Sequence, residues 1–254
     1  MKQPSVIDVN PGNVTVQTLF CIKDTKSPGF QKKKNWFTER HKEGLKLKIL
    51  YNESGKPAAF IEYIPAEYAW RPVKAPGYMF IHCMFTYSNK DKQKGYGALL
   101  VSACEEDAKK AEMAGVCVMT SKGSWMTDKR LFLKNGYRVT ETKGRFELMT
   151  KKFMEKAADP SLIDWTKEQK QYKGWHLLYA DQCPWHEKSA EALKKTAEEA
   201  GIDMKIHRIA TAAEAQQSPS GTGVFSLMHD GRLLEDHYIS RTRFLNILKK
   251  ELEV

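Results

Sequence analysis

Met84-Phe85-Thr86-Tyr87-Ser88-Asn89-Lys90-Asp91-Lys92-Gln93-Lys94-Gly95-Tyr96-Gly97-Ala98-Leu99-Leu100 is the stretch on which the reading of the fold turns. Its first residues end an apolar run, Tyr78–Tyr87, long enough for a buried strand. Its last residues open a segment in which Leu99, Leu100, Ala103, Cys104, Ala108 and Ala111 recur at helical intervals on one face. A helix N-terminus presents unpaired N–H groups and a partial positive charge, which suit phosphate oxygens. Glycine lets the backbone come close to a pyrophosphate, because no Cβ intervenes. Strand, glycine loop and helix thus predict a phosphate-binding turn, while a loop shaped only for packing would read the same on this motif alone.

Outward from that turn the elements alternate. Upstream, Val6–Val9 reads as a strand, Phe30–Glu43 as a helix, and Leu45–Tyr51 and Ala58–Ile64 as strands joined by the turn Glu53-Ser54-Gly55-Lys56-Pro57. Downstream, Gly115 stops the long helix and Val116–Thr120 is a strand. A helix over about Thr127–Lys134 ends at Asn135-Gly136, and Tyr137–Thr140 and Phe146–Thr150 are strands. Charged residues with few apolar positions over 152–173 predict a linker between residues 1–151 and a smaller domain, 174–254. That second part reads as strand Trp175–Ala180, a helix to Ala200, and strands Met204–Ile209, Val224–Met228 and Arg232–His237. A final helix spans Arg241–Leu252.

Lys92, Gly95 and Gly97 resemble the acetyl-coenzyme A signature of the GNAT superfamily, R/Q-x-x-G-x-G/A, with lysine in the first place. Leu131-Phe132-Leu133-Lys134-Asn135-Gly136-Tyr137 resembles that family's second signature, L-Y-x-K-x-G-F, and the likeness spans about residues 5 to 150. The resemblance implies an α/β (α+β) fold with a mixed sheet flanked by helices. It also implies acetyl-coenzyme A as cosubstrate and a small-molecule or peptide amine as acceptor. Cofactor contacts would fall on Met84, Phe85 and Thr86, on Lys92 through Ala98 (Lys92, Gln93, Lys94, Gly95, Tyr96, Gly97, Ala98), and on Phe132 and Asn135. Lys92 can meet phosphate as a point charge. Phe132 stands where the family often has a tyrosine that protonates the leaving thiolate, and phenylalanine has no proton to give.

In that family a base removes the ammonium proton of the attacking amine. Here Glu62, His82 and Cys83 are the candidates, and strand alternation predicts His82 and Cys83 on opposite faces. Each has a structural alternative: Glu62 as a solvated strand residue, His82 as a hydrogen-bonded core histidine, Cys83 as a small hydrophobe. Tyr63, Tyr68, Trp70 and Arg71 could line an acceptor site or pack a crossover loop, and Ser124 and Trp125 lie near the expected exit of the cleft.

The second part has the element order of a thioredoxin-like fold, and the whole chain resembles acetyltransferases that carry a C-terminal YoaP-type domain. Cys183-Pro184-Trp185-His186 looks like a C-P-x-C site whose second cysteine is His186, a candidate thiol site in which a protonated His186 would favour the thiolate. Without a resolving cysteine it cannot form an internal disulfide. A recognition or structural module is the reading for this part. The competing reading of the whole chain is a non-catalytic acyl-coenzyme A sensor with Cys183 as a switch.

The chain has 254 residues, 41% hydrophobic and 28% charged, with a formal net charge of +10. Such charge invites an anionic partner. No zinc-finger, RNP or leucine-zipper pattern accompanies it, so a polyanionic cofactor is a more economical partner than nucleic acid. No secretory leader or membrane-spanning stretch is read, and the five cysteines are odd in number with no CxxC pair. These features predict a cytoplasmic protein with reduced thiols, no metal site and no membrane partner. The oligomeric state is not legible.

Overall fold

The computed structural model describes residues 3–19, 21–123 and 125–252, in two units. The first comprises Met1–Thr25, Phe37–Ala69 and Val73–Leu162, and the second comprises Lys26–Trp36, Trp70–Pro72 and Ile163–Val254. The chain begins with β1 (Ser5–Val9), the short α1 (Val14–Gln17) and α2 (Pro28–His41), whose opening residues count with the second unit. The meander β2 (Lys46–Tyr51) and β3 (Pro57–Pro65) follows, then the two-residue β4 (Val73–Lys74) and β5 (Tyr78–Thr86). Next come α3 (Tyr96–Lys110), β6 (Gly115–Ser121), α4 (Arg130–Lys134), β7 (Arg138–Lys143), β8 (Phe146–Lys152) and β9 (Ser161–Leu162).

Seven strands form one mixed sheet in the order β1-β2-β3-β5-β6-β8-β7, antiparallel except for β5 and β6. A parallel pair needs a crossover, and α3 supplies it. The face of α3 that carries Leu100, Val101, Cys104 and Ala108 packs on Ala59, Ile61 and Tyr63 of β3, Met79 and Ile81 of β5, and Val116 and Val118 of β6. Phe132 of α4 closes the same core, edge-on to Tyr137 at 5.3 Å. The mixed sheet with flanking helices agrees with the expected fold class.

Two elements differ from the sequence reading. The helix expected from Thr127 starts only at Arg130, because Asp128 Oδ1 accepts the Arg130 backbone N–H at 2.8 Å in a local turn that delays helix entry. The charged stretch read as a linker contains β9, paired with β4, and Trp165, which is 5% exposed.

The second unit contains β10 (Trp175–Ala180), α5 (Pro184–Glu199), β11 (Met204–Ile209), α6 (Ala212–Gln216), β12 (Phe225–His229), β13 (Arg232–Glu235) and α7 (Arg241–Glu251). Its sheet runs β11-β10-β12-β13, with β10 and β11 parallel and the other pairs antiparallel. A β-α-β unit is therefore followed by a β-β-α unit. Leu193 and Ala197 of α5 and Phe244 and Leu248 of α7 pack with Trp175, Leu177, Phe225 and Leu227 of the sheet. Among the described residues no helix is long and apolar enough to cross a membrane, and no group of three metal-ligating side chains occurs.

Candidate functional site

The site begins as a fault in the large sheet. β5 and β6 pair only from Tyr78–Ile81 to Gly115–Val118, although β5 runs on to Thr86 and β6 to Ser121. Beyond Ile81 the two strands part. Met84, Phe85 and Thr86 still pair with Ile61, Phe60 and Ala59 of β3, so their other edge faces the opening. Phe85 is 50% exposed there and meets Tyr87 edge-to-face at 5.5 Å.

A bulge marks the point of parting. Glu62 pairs with Cys83 and Tyr63 with Ile81, which leaves His82 as an extra residue in β5. Strict alternation would put His82 and Cys83 on opposite faces. Instead Ile81 and Met84 both pack on the α3 side, and the two residues between them are left to the other face. This corrects the sequence expectation. The signal was absent from the residue types, because a bulge is a register property of two strands.

Glu62 and His82 meet on that face, with His82 Nδ1 3.4 Å from Glu62 Oε1 and both side chains within 1% of complete burial. Cys83 is exposed beside them. A carboxyl group and an imidazole held together out of water can share one proton between them. All five cysteines are thiols; burial pushes those of Cys104 and Cys117 upward, which fits their reading as small core residues.

The glycine loop lies at the head of α3. Gly95 adopts φ +80°, ψ 0° and leaves the helix without a side-chain cap. A Cβ there would meet nothing within 4 Å, so the position needs glycine for its left-handed backbone and opens onto free space. The first N–H groups of α3 point the same way by helix geometry. Lys92, Gln93 and Lys94 are exposed, and Gln93 is also left-handed at φ +70°. Lys94 lies 3.4 Å from Asp91 and 3.9 Å from Glu53; Tyr96 is buried and donates its hydroxyl to Glu53 at 2.6 Å. Gly97 packs against Leu131 of α4, whose methyl carbons would be 3.2 Å from a Cβ, and Ala98 is half-buried beside it.

The remaining sequence candidates scatter. Phe132 is wholly buried in the core, and Asn135 donates from Nδ2 to the Leu131 carbonyl at 2.7 Å, which finishes α4. Tyr63 is also in the core and donates to Asp107 at 2.7 Å. Tyr68 is 45% exposed, whereas Trp70 and Arg71 belong to the second unit. There Trp70 meets Trp36 edge-on at 5.2 Å, and Arg71 donates to the Trp70 carbonyl at 2.8 Å and to Gln182 at 3.0 Å. Trp125 is 57% exposed with a left-handed backbone at φ +64°, and Ser124 lies outside the described residues.

Cys183 is the N-cap residue of α5 and Pro184 its first helical residue. His186 is 5% exposed and donates from Nδ1 to the Ala180 carbonyl at 3.0 Å. Burial, reinforced by Arg71 and Lys33, pushes its pKa down to about 4 against that hydrogen bond. The imidazole is therefore neutral near pH 7. The expected cationic partner for the Cys183 thiolate is not there, because the ring is too far from water to hold a proton.

Sequence reasoning missed two polar arrangements. Asp107 of α3 accepts from Tyr63 of β3 and from Lys46 of β2, at 2.7 and 2.9 Å, with Lys48 at 3.2 Å. Burial would raise its pKa, but these donors hold it at about 2. Arg145, on the β7–β8 turn, reaches across to Ser121 Oγ at 2.8 Å and lies 4.3 Å from the centre of the Phe146 ring. Neither follows from any motif; both come from strand register.

Residues 204–246 match a YoaP-like family model. Over 248 residues the chain is 29% identical to the uncharacterized N-acetyltransferase YoaP of Bacillus subtilis, covering 95% of this chain and 97% of that one. The chain is similar to YoaP almost from end to end. That likeness includes the YoaP-like segment in the second unit as well as the first unit. Among solved structures, PaiA N-acetyltransferase from Thermoplasma acidophilum with coenzyme A aligns at 12% identity, 60% of this chain, all of that one and TM-score 0.44. The aminoglycoside acetyltransferase AAC(6')-Ib with coenzyme A aligns at 14% identity, 59% of this chain, 95% of that one and TM-score 0.46.

Proposed function

We propose that the chain is an acetyl-coenzyme A-dependent N-acetyltransferase acting on an amine of a small molecule or peptide. The observation that carries this reading is the parting of β5 and β6 beside the uncapped head of α3. An open strand edge offers N–H and C=O groups to an amide-bearing arm, and a helix N-terminus a few residues on suits its pyrophosphate. The YoaP relative, similar over nearly the whole chain, is named for the same activity.

The residues present fit that cosubstrate. Gly95 opens onto free space where a side chain would intrude, and Lys92 and Lys94 put positive charge beside the helix head. Acetyl-coenzyme A would supply the acetyl thioester. Met84, Phe85 and Thr86 would hold the arm along their free backbone edge, and the N–H groups there would steady charge on the carbonyl oxygen. Glu62 and His82 would accept the ammonium proton of the acceptor, with Cys83 at the exposed end of the pair. Phe132 brings no acid from α4, so the leaving thiolate would take its proton from water. Holding both reactants together is then the chief source of rate.

Phe132 also favours a second reading, a non-catalytic acyl-coenzyme A sensor switched at Cys183. The neutral His186 weighs against it, because it leaves that thiol without a cation from the C-P-x-H motif. Calorimetric titration with acetyl-coenzyme A, beside a Gly95→Glu variant, tests the cofactor site. Binding by the wild type and its loss in the variant are expected; no binding to the folded wild type would sink both readings. Release of thiol in the presence of amine pools separates enzyme from sensor.

A further inference from the structure

The turn between β2 and β3 reaches the glycine loop. Asn52 braces that turn: its side-chain oxygen accepts the backbone N–H groups of Ser54 and Lys56, each at 3.1 Å, and its own N–H donates to the Lys56 carbonyl at 2.9 Å. Glu53 is thus carried on a fixed turn. Tyr96, the first residue of α3, meets it there. The residue is 2% exposed and packs in the core under the sheet, and its hydroxyl donates to Glu53 Oε2 at 2.6 Å. A ring so enclosed cannot swing, so the bond ties the β2–β3 turn to the head of α3. The same bond holds the Glu53 carboxyl below the usual carboxylate range, which keeps it charged near pH 7.

Lys94 stands on the loop between two left-handed residues, Gln93 at φ +70° and Gly95 at φ +80°. A non-glycine residue adopts that backbone only at a cost, so the loop needs support from outside itself to keep its shape. The Lys94 ammonium lies 3.4 Å from Asp91 Oδ1, 3.9 Å from Glu53 Oε2 and 5.7 Å from the centre of the Tyr96 ring. A committed charge-assisted bond is about 2.7–2.9 Å long, so the two carboxylates share this cation and neither binds it closely. A carboxylate at the head of α3 therefore acts in two opposed ways on a pyrophosphate there. Through Tyr96 it keeps the loop in its receiving shape, and by its charge it repels the ligand and competes for Lys94.

We infer that Glu53 is a positioning residue for the cosubstrate: it pins the pyrophosphate loop through Tyr96 and holds the Lys94 ammonium until a pyrophosphate takes it. The inference rests on the acetyltransferase reading. It makes a residue of the β2–β3 turn, outside both signatures, the one that sets how tightly the loop binds.

Calorimetric titration of the full chain with acetyl-coenzyme A, at low and high salt, separates the two actions. Glu53→Gln keeps an acceptor for Tyr96 and removes the charge. It should tighten binding by about 2- to 5-fold at low salt, and added salt should screen that gain away. Tyr96→Phe cuts the pin and leaves the charge, so it should weaken binding by about 3- to 10-fold. Glu53→Ala loses both and should fall between the two. Melting of each variant without ligand reports whether the fold is kept; Glu53→Gln, which retains the hydrogen bond, carries the test if Tyr96→Phe does not fold. A Glu53→Gln variant that binds no tighter than the wild type at low salt would overturn the inference, because a purely structural role predicts that result. A folded Tyr96→Phe variant with wild-type affinity would overturn it as well. No binding to the folded wild type would take the acetyltransferase reading down with it.

Discussion

At the scale of single residues, the site is decided by where a side chain is put rather than by what it is. Glu62 and His82 are ordinary strand residues in the sequence, and only a one-residue slip in β5 brings them together out of water. Glu62→Gln keeps the shape and removes the charge, so kcat should fall by about 10²- to 10⁴-fold, with acetyl-coenzyme A affinity retained. A stopped-flow or thiol-release assay beside calorimetry measures both, and wild-type turnover in the variant would exclude Glu62 from the proton path. Gly95 was legible because a left-handed turn before a helix leaves a glycine in the sequence. The partnership of His82 with Glu62, and of Arg145 with Ser121, was not, because each depends on register between strands far apart in the chain. Trp70 and Arg71 could be read from residue type as lining an acceptor site or as packing a loop, and in the structure both make their contacts within the second unit.

At the scale of elements, local pattern carried further. The strand–turn–strand of β2 and β3, the apolar stripe of α3 and the stop at Asn135-Gly136 all stand in the structure close to where period and turn chemistry place them. Elements too short to have a period were missed, and β4 and β9 are two residues each. Also hidden was the polar pin between α3 and the sheet. Asp107 gathers Tyr63, Lys46 and Lys48, and Lys48 reaches on to Asp8 at 2.6 Å. Because Tyr63 is buried, Asp107→Ala would leave its hydroxyl without its acceptor, while Lys48 would keep Asp8. A loss of about 2–4 kcal/mol is expected in urea unfolding. Adding Tyr63→Phe should restore part of it, and additive losses would argue against coupling. The carboxyl itself titrates near pH 2, below its usual 3.8, so its contribution persists above that ordinary value and fades only as pH falls through the window between them.

At the scale of the whole molecule, acid acts first elsewhere. His186 has a folded pKa of about 4 against an ordinary 6.5, so below 6.5 the unfolded chain binds a proton that the folded one refuses. Stability should be full above pH 6.5 and decline as pH drops towards 4. Melting followed by the tryptophans near it, with His186→Gln as control, checks this; a variant that loses stability with pH as steeply as the wild type would assign the loss to other groups. The division of the chain has a consequence for synthesis. The second unit takes Lys26–Trp36 and Trp70–Pro72 from the early chain and the rest from Ile163 onward. At about 5–20 residues per second, those early stretches leave the ribosome on the order of ten seconds before the sequence that completes their unit. During that interval Phe30, Trp36 and Trp70, all buried in the finished protein, have only the nascent chain and chaperones for company.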